Sequence, residues 1–216
     1  MVSHPFQFAH IAIEGPIGVG KTTLARKLAD RLQASLVLEN IDDNPFIQWY
    51  YEDPARHALS VQLSFLFSRL RQWQELSQQE LFHQGRVISD YLFAKDRLFA
   101  TITLTDAELA LYDKVAHSVA CDLPKPDLVI YLQAGLDSIM KRIRRRGRSF
   151  ERNLDESYLQ RVIAAYDRFF FHYDETPLLI VQTDRMNFAE DPAAIDSLIR
   201  RIASMRGFIE FWADLS

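Results

Sequence analysis

Residues 15–22 read Gly-Pro-Ile-Gly-Val-Gly-Lys-Thr and fit the pattern G-x-x-x-x-G-K-[ST] at every constrained position. Ahead of this stretch, residues 10–14 (His-Ile-Ala-Ile-Glu) form a short apolar run that is typical of a buried strand. Behind it, residues 22–29 predict an amphipathic helix with Leu24 and Leu28 on one stripe. Because strand, loop and helix follow in this order, we interpret the stretch as a phosphate-binding loop rather than a chance Gly-rich turn.

Such a loop predicts binding of the triphosphate tail of a nucleotide. Backbone N–H groups of the loop and the N-terminal dipole of the helix would converge on phosphate oxygens. Lys21 would reach the β- and γ-phosphates, and the hydroxyl of Thr22 would bind Mg²⁺. The predicted nucleotide-binding residues are Gly15, Pro16, Ile17, Gly18, Val19, Gly20, Lys21, Thr22 and Thr23.

The composition favours an intracellular enzyme or switch. A chain of 216 residues with no repeats or Gly/Ser linkers predicts one domain over residues 1–216. A net charge of −4 gives no general attraction to nucleic acid or to an anionic membrane, so neither is an expected partner. The single cysteine, Cys121, excludes an intramolecular disulfide framework. With no signal-peptide pattern in residues 1–6 and no apolar run of membrane-spanning length, we expect a cytoplasmic protein.

Short apolar segments alternate with helical ones along the chain. Five Val/Ile/Leu-rich segments predict strands, at residues 9–14, 36–38, 87–90, 127–132 and 178–183. Six helices are predicted at residues 21–33, 55–83, 106–121, 136–146, 156–173 and 191–204. This order predicts an α/β fold with a five-stranded parallel sheet and helices on both faces. Ligands of such sheets bind beyond the carboxyl ends of the strands.

Two acids stand at the carboxyl ends of predicted strands. Glu39 follows the second strand and could accept a proton from a hydroxyl that attacks the γ-phosphate. The alternative is a solvated acid at the start of a loop. Asp90 ends the third strand, where it could bind Mg²⁺ through water or hold a substrate hydroxyl; alternatively it caps a short helix beginning at Leu92.

Two further features suggest ligand recognition. Gln62 and Arg69 stand seven residues apart on one face of the long predicted helix, where a Gln amide could pair with a base edge and the Arg could brace it. A partly exposed polar edge is the alternative. Six arginines fall in eleven residues between Arg142 and Arg152, with Gly147 among them, and favour a lid over a γ-phosphate. A solvated helix face and a nucleic-acid patch are the competing interpretations.

Together these motifs resemble the deoxyribonucleoside kinase family from about residue 11 to about residue 188. The resemblance implies a P-loop kinase fold with an arginine-rich lid at about residues 142–155. It implies that Glu39 is the general base for the substrate's 5′-hydroxyl and that Tyr51, in the segment Tyr-Glu-Asp-Pro, binds the sugar 3′-hydroxyl. Gln62 would contact the base with Arg69 beside it.

The resemblance extends to the lid and the adenine end of the site. Arg146 and Arg148 match lid arginines that would neutralise charge on the transferred group, and Glu151 matches an acid facing the 3′-hydroxyl. Residues 182–188 would form the loop near the ATP adenine. Members of this family usually form homodimers, which implies a homodimer here through helices that include residues 55–83. The apolar stretch of that helix could equally belong to the core of the monomer.

The chain departs from the family pattern at the third strand. Many members have an acid followed by Arg-Ser there, whereas this chain has Asp90-Tyr91. Asp90 is expected to keep its place near the 5′-hydroxyl and Mg²⁺. The phosphate contacts that the family's arginine makes would have to come from elsewhere, with Arg69 and the lid as the candidates. The Asp-Tyr form resembles the bacterial purine-preferring branch, which implies deoxyguanosine or deoxyadenosine as the acceptor.

The resulting hypothesis is an ATP- and Mg²⁺-dependent deoxynucleoside kinase of nucleotide salvage. Alternatives are a broader-specificity deoxynucleoside kinase, a nucleoside monophosphate kinase of the thymidylate type, and a nucleotide-binding regulatory switch. No N-K-x-D base-reading motif of a switch is present. The aromatic tail, at about residues 206–216, is left open between docking on the domain and docking on a partner.

Overall fold

The computed structural model describes residues 8–80, 85–119, 125–151 and 154–213. Cys121, Arg152 and the last three residues of the C-terminal tail lie outside this part of the chain, as do the predicted ends of two helices, at residues 81–83 and 120–121. Within the described ranges, no helix is long and apolar enough to cross a membrane.

Six parallel strands form one sheet in the order β2-β3-β1-β4-β5-β6. The strands are β1 His10–Glu14, β2 Ser35–Val37, β3 Val87–Ser89, β4 Leu128–Gln133, β5 Leu178–Gln182 and β6 Ile209–Ala213. The predicted five-stranded sheet is corrected to six, because the aromatic tail supplies β6. Its strand character depends on pairing with β5, since Ile209 and Phe211 stay half exposed and give no buried-strand pattern.

Eight α-helices surround the sheet in the described chain. They are α1 Lys21–Leu32, α2 Ile47–Glu52, α3 Pro54–Glu80, α4 Lys95–Thr103, α5 Asp106–Val119, α6 Leu136–Arg146, α7 Glu156–Phe171 and α8 Pro192–Ser204. The six predicted helices are all present. The additional helices α2 and α4 are only six and nine residues long, too short for their periodicity to stand out.

Alternate residues of the strands face two separate cores, which places helices on both faces of the sheet. On β1, Ile11 and Ile13 join a core that includes Leu24 of α1 and residues of α6 and α8. Ala12 points the other way, into a core that includes Tyr166 of α7 and residues of α4. With both faces covered and every strand parallel, the loops at the carboxyl ends of the strands converge on one edge of the sheet.

His10, at the start of β1, is a partly buried titratable group away from that edge. Its Nε2 lies 3.1 Å from Ser89 Oγ, and its ring centroid lies 4.9 Å from that of Trp73. Burial lowers the pKa of His10 to about 4, although Asp127 acts in the opposite direction. The folded protein therefore holds this imidazole neutral at pH values where an unfolded chain, with a histidine pKa near 6.5, binds a proton.

This difference predicts acid sensitivity of folding. The contribution of His10 is fully present above about pH 6.5 and is lost as the pH falls towards 4, by up to about 3 kcal/mol. We expect His10→Gln to flatten the dependence of the free energy of unfolding on pH in this window, measured by urea titration. His117→Gln, an exposed site, is the control. Equal slopes for wild type and His10→Gln would contradict the assignment.

Candidate active site

A cavity of about 1160 Å³ opens at the carboxyl-end edge of the sheet. The predicted site residues that line it are Ile17, Gly18, Val19, Gly20, Lys21, Thr22, Thr23, Glu39, Tyr51, Gln62, Arg69, Asp90, Arg146, Arg148 and Glu151. Of the predicted nucleotide-binding residues, Gly15 and Pro16 are not part of the lining. Their carbonyls instead accept hydrogen bonds from Lys21 Nζ, at 2.7 and 3.1 Å.

The phosphate-binding loop is shaped by glycines with positive φ. Gly15 has a φ of 147°, and Gly20, at 112°, caps the first turn of α1. Burial and the nearby ammonium of Lys95 lower the pKa of Lys21 to about 8. The loop thus presents backbone amides, a helix N-terminus and a lysine at one place, which is the chemistry of an anion site.

Glu14 holds the loop in place and was not predicted as a site residue. Its buried carboxylate accepts hydrogen bonds from the amides of Gly15 and Leu92, each at 2.8 Å, and from the hydroxyl of Tyr166 at 2.9 Å. These bonds join the loop, the segment after β3 and helix α7. The one sequence signal is a charged residue at the end of an apolar strand.

Asp90 connects the loop to the segment that carries Glu39. Its Oδ2 accepts from the Thr22 hydroxyl at 2.5 Å, and its Oδ1 accepts from the Glu39 amide at 2.7 Å. The alternative role as a cap at Leu92 is wrong, because the next helix, α4, begins only at Lys95. The oxygens of Thr22 and Asp90 are hard donors of the kind that Mg²⁺ prefers.

Glu39 lies between two cations. Its Oε2 accepts from Lys95 Nζ at 2.7 Å, its Oε1 pairs with Arg69, and 8% of its side chain is exposed. Burial alone would raise the pKa of Glu39, but Lys95 and Arg69 hold it well below its usual range. The alternative of a solvated acid at a loop start is therefore wrong.

The polar pair on α3 is buried and faces the cavity. Gln62 Nε2 donates to Thr103 Oγ1 at 3.2 Å, while Arg69 pairs with both Glu39 and Asp96. Burial acts to lower the pKa of Arg69, but the carboxylate of Glu39 outweighs it and raises the pKa overall. Both residues are 4% exposed, so the alternative of a partly exposed polar edge is wrong.

Lys95, Asp96 and Thr103 were missed by sequence reasoning. All three belong to α4, a helix that the periodicity did not predict. Lys95 and Asp96 are almost fully buried, at 6% and 2% exposure. The sequence shows only an adjacent Lys and Asp here and gives no sign of their burial, so it carried no signal that would have found them.

The arginines of the predicted lid make two kinds of contact. Arg142 donates to the carbonyls of Val19 and Thr183, at 2.9 and 2.5 Å, and so ties α6 to the loop. Arg146 forms a bidentate pair with the buried Glu151, with bonds of 2.6 and 2.7 Å from one nitrogen and 3.1 Å from another. Gly147 is the C-cap of α6, with a φ of 71°.

Two other residues of the predicted lid lie beside Glu151 or Tyr51. Arg148 lies 4.0 Å from both Glu151 and Asp42. Phe150 packs on the ring of Tyr51, with centroids 5.3 Å apart. Burial and the charge of Glu151 raise the pKa of Tyr51, which keeps its hydroxyl protonated and able to donate. The structure therefore brings Tyr51 and Glu151 to the same wall of the cavity.

Comparison with known proteins finds relatives by sequence and by fold. The family model described as deoxynucleoside kinase matches residues 11–206. A deoxyguanosine kinase of Bacillus subtilis is 38% identical over 157 residues, covering 73% of this chain and 76% of that protein. A deoxyadenosine kinase of Lactobacillus acidophilus is 31% identical over 202 residues, covering 89% of this chain and 94% of that protein.

Solved structures share the fold. A deoxyadenosine kinase from M. mycoides with bound dATP superposes with a TM-score of 0.76 at 23% identity, over 91% of this chain and 100% of that chain. The same enzyme with bound dCTP gives a TM-score of 0.75 at 22% identity over the same shares. At this level of identity the likeness shows the architecture alone.

Proposed function

Because the chain belongs to the deoxynucleoside kinase family and is thus an ATP-dependent phosphotransferase, we propose that it phosphorylates the 5′-hydroxyl of a purine deoxynucleoside. The observation that carries the proposal is the connection of Glu39 to the phosphate-binding loop. Asp90 accepts hydrogen bonds from both the Thr22 hydroxyl and the Glu39 amide. Glu39, the candidate general base, therefore lies next to the loop that would bind the triphosphate.

The donor end of the cavity would hold the triphosphate. The loop amides and Lys21 would bind the β- and γ-phosphates, with Lys21 exchanging the carbonyls of Gly15 and Pro16 for phosphate oxygens. Arg146 and Arg148 would neutralise charge on the transferred group. Phosphoryl transfer depends mainly on such positioning and charge stabilisation.

Mg²⁺ would bind next to Thr22 and Asp90. The Thr22 hydroxyl and the Asp90 carboxylate place two hard oxygens 2.5 Å apart at the start of α1, and Mg²⁺ takes one or two protein oxygens with phosphates and water completing its shell. When bound, the ion would screen the phosphate charge. The chain's own part is to present these two oxygens in a fixed relation to Glu39.

The acceptor end of the cavity suits a nucleoside without its own phosphate. Gln62 can pair with a base edge, and Tyr51 and Glu151 can bind a 3′-hydroxyl. In this part of the described cavity, Arg69 is already held by two carboxylates, those of Glu39 and Asp96. A thymidylate-type enzyme would need cations free to hold an acceptor phosphate, so the nucleoside is favoured. A purine is supported by the names of the two relatives above.

Steady-state kinetics with ATP and each of the four deoxynucleosides, their ribose counterparts and their 5′-monophosphates test the proposal. We expect the highest kcat/KM for deoxyguanosine or deoxyadenosine and little turnover of the monophosphates. Preference for a pyrimidine would overturn the purine assignment. Phosphorylation of monophosphates alone would favour the thymidylate-type alternative, and no turnover at all would favour a regulatory switch.

Assembly and location are also proposals. A homodimer is supported by Phe67 on α3 and Leu111 on α5, large apolar side chains that are 48% and 49% exposed. A cytoplasmic location is supported by the single cysteine in 216 residues. Light scattering of the purified protein and cell fractionation test these two points.

A further inference from the structure

The residue after Asp90 provides no cation to the site. Tyr91 is fully buried, and its hydroxyl donates to Gln72 Oε1 at 2.7 Å. Gln72 Nε2 in turn donates to the carbonyl of Leu38 at 2.9 Å. Tyr91 therefore supports the backbone just before Glu39. Any positive charge between Glu39 and the phosphate-binding loop has to come from another residue.

Lys95 lies at that position. Its side chain is 6% exposed, and its Nζ is 2.7 Å from Glu39 Oε2 and 5.6 Å from the centre of the Phe99 ring. It lines the same cavity as Lys21, and its charge is close enough to lower the pKa of Lys21. Lys95 thus lies between Glu39, the acid expected next to the acceptor hydroxyl, and the loop that would hold the triphosphate.

The other cations around Glu39 and the lid have other attachments. Arg69 is held by Asp96 as well as by Glu39, and Arg146 is held by Glu151. Arg142 is bonded to backbone carbonyls. Within the described residues, Lys95 forms its ion pair with Glu39 alone. Among these cations it is therefore the one left without a carboxylate partner when Glu39 takes up a proton.

The charge balance of the reaction explains why this matters. The 5′-oxygen forms a bond to the γ-phosphorus, the bond from that phosphorus to the β,γ-bridging oxygen breaks with its electron pair going to ADP, and the hydroxyl proton passes to Glu39. Protonation makes Glu39 neutral. Lys95 then loses its anionic partner in a buried site, where an unpaired charge is costly. The nearest new anion is the phosphoryl group in transfer.

We propose that Lys95 is a catalytic residue that pairs with Glu39 in the free enzyme and binds the transferred phosphoryl group in the reacting complex. The inference rests on the proposed function. It assigns to α4 the positive charge that Tyr91 does not provide. It also explains how Glu39 becomes a stronger base. Beside two cations Glu39 is ionised but only weakly basic, and its pKa rises when Lys95 moves to the phosphate because one of those cations is then removed.

Lys95→Gln tests the assignment in the full chain. Removing one buried charge stabiliser of this kind is expected to lower kcat by about 10²-fold. The KM for the deoxynucleoside should stay within about threefold, because the base and sugar contacts are unchanged. Lys95→Arg should recover part of kcat. Lys125→Gln, which removes an exposed lysine paired with Glu175, is the matched control and should match wild type.

Folding and positioning effects are separated by two further measurements. Thermal unfolding of Lys95→Gln checks that the variant is folded, as expected because Glu39 keeps Arg69. The double variant Glu39→Gln/Lys95→Gln is then compared with Glu39→Gln. If Lys95 binds the phosphoryl group, the double variant should be at least about tenfold slower, whereas a residue that only positions Glu39 would cause no further loss.

The outcomes separate this inference from the function on which it rests. Both the proposed function and the role of Lys95 are supported if wild type phosphorylates a deoxynucleoside, Lys95→Gln is slower than wild type, and the double variant is slower than Glu39→Gln. Two results would overturn the role of Lys95 while leaving the proposed function intact, provided that wild type is active. One is a kcat of Lys95→Gln within threefold of the wild-type value, and the other is a double variant with the same kcat as Glu39→Gln. Absence of wild-type turnover on every deoxynucleoside overturns the proposed function and this inference with it.

Discussion

Replacing Glu39 by Gln is expected to lower kcat on deoxyguanosine or deoxyadenosine by about 10²–10⁴-fold, the usual contribution of a general base. The amide keeps the size of the side chain and an oxygen for Arg69 or Lys95, but it cannot take up the 5′-hydroxyl proton. Because Lys95 and Arg69 outweigh the effect of burial and keep Glu39 ionised in the free protein, the loss should extend across neutral pH. Steady-state kinetics of the purified variant measure it.

The control is Glu52→Gln, at an exposed acid of α2, which should match wild type. Circular dichroism and thermal unfolding of Glu39→Gln establish that the loss is not one of folding. Turnover within about tenfold of wild type by a folded Glu39→Gln protein would remove Glu39 from the proposed mechanism and leave charge stabilisation by the loop and lid to account for the rate.

Replacing Gly15 by Ala is expected to have the largest effect on stability. A Cβ at this position would lie 2.5 Å from the carbonyl oxygen of Leu132, and the φ of 147° is strained for any residue with a side chain. Leu132 belongs to β4, which is paired on both sides, so its backbone cannot move away. Clash and strain together should cost about 3 kcal/mol or more. For a chain of this size the melting temperature should fall by about 10 °C.

Gly20→Ala is the matched control for this prediction. Gly20 also has a positive φ, of 112°, but a Cβ there meets nothing within 4 Å. It should therefore show only the backbone strain, about 1–2 kcal/mol, and a smaller fall in melting temperature. Equal melting temperatures for the two variants would mean that the contact with Leu132 does not determine the stability of the loop.

Residues whose roles depend on local sequence were predictable. The loop at residues 15–22 forms a phosphate-binding turn because the positions of its glycines and the start of α1 are set by neighbours in the chain. Glu39 and Asp90 were placed at one edge because parallel strands bring their carboxyl ends together. The five predicted strands and six predicted helices follow from apolar patterns of the same local kind.

The sequence-based prediction missed elements and contacts that depend on packing against another element. Strand β6 exists because β5 offers an unpaired edge, and the half-exposed Ile209 and Phe211 do not indicate a strand by themselves. Helix α4 is short, so Lys95 and Asp96 carried no pattern that would place them beside Glu39 and Arg69. Arg142 stands in the run of arginines that predicted a phosphate lid, but it donates a hydrogen bond to the backbone carbonyl of Val19. That contact depends on the packing of α6 against the loop, which the sequence does not show.

The sequence by itself determined a nucleotide-binding loop, an α/β sheet and the acids and arginines at one edge of that sheet, because these depend on residue type and short-range spacing. Only the tertiary structure decided which buried charged and polar groups pair with one another. Glu39 meets Lys95 across 56 positions of the chain, and Glu14 meets Tyr166 across 152. Long-range pairing of buried charges follows from how helices pack on the sheet, and that packing sets both the ionisation of Glu39 and the cation beside it.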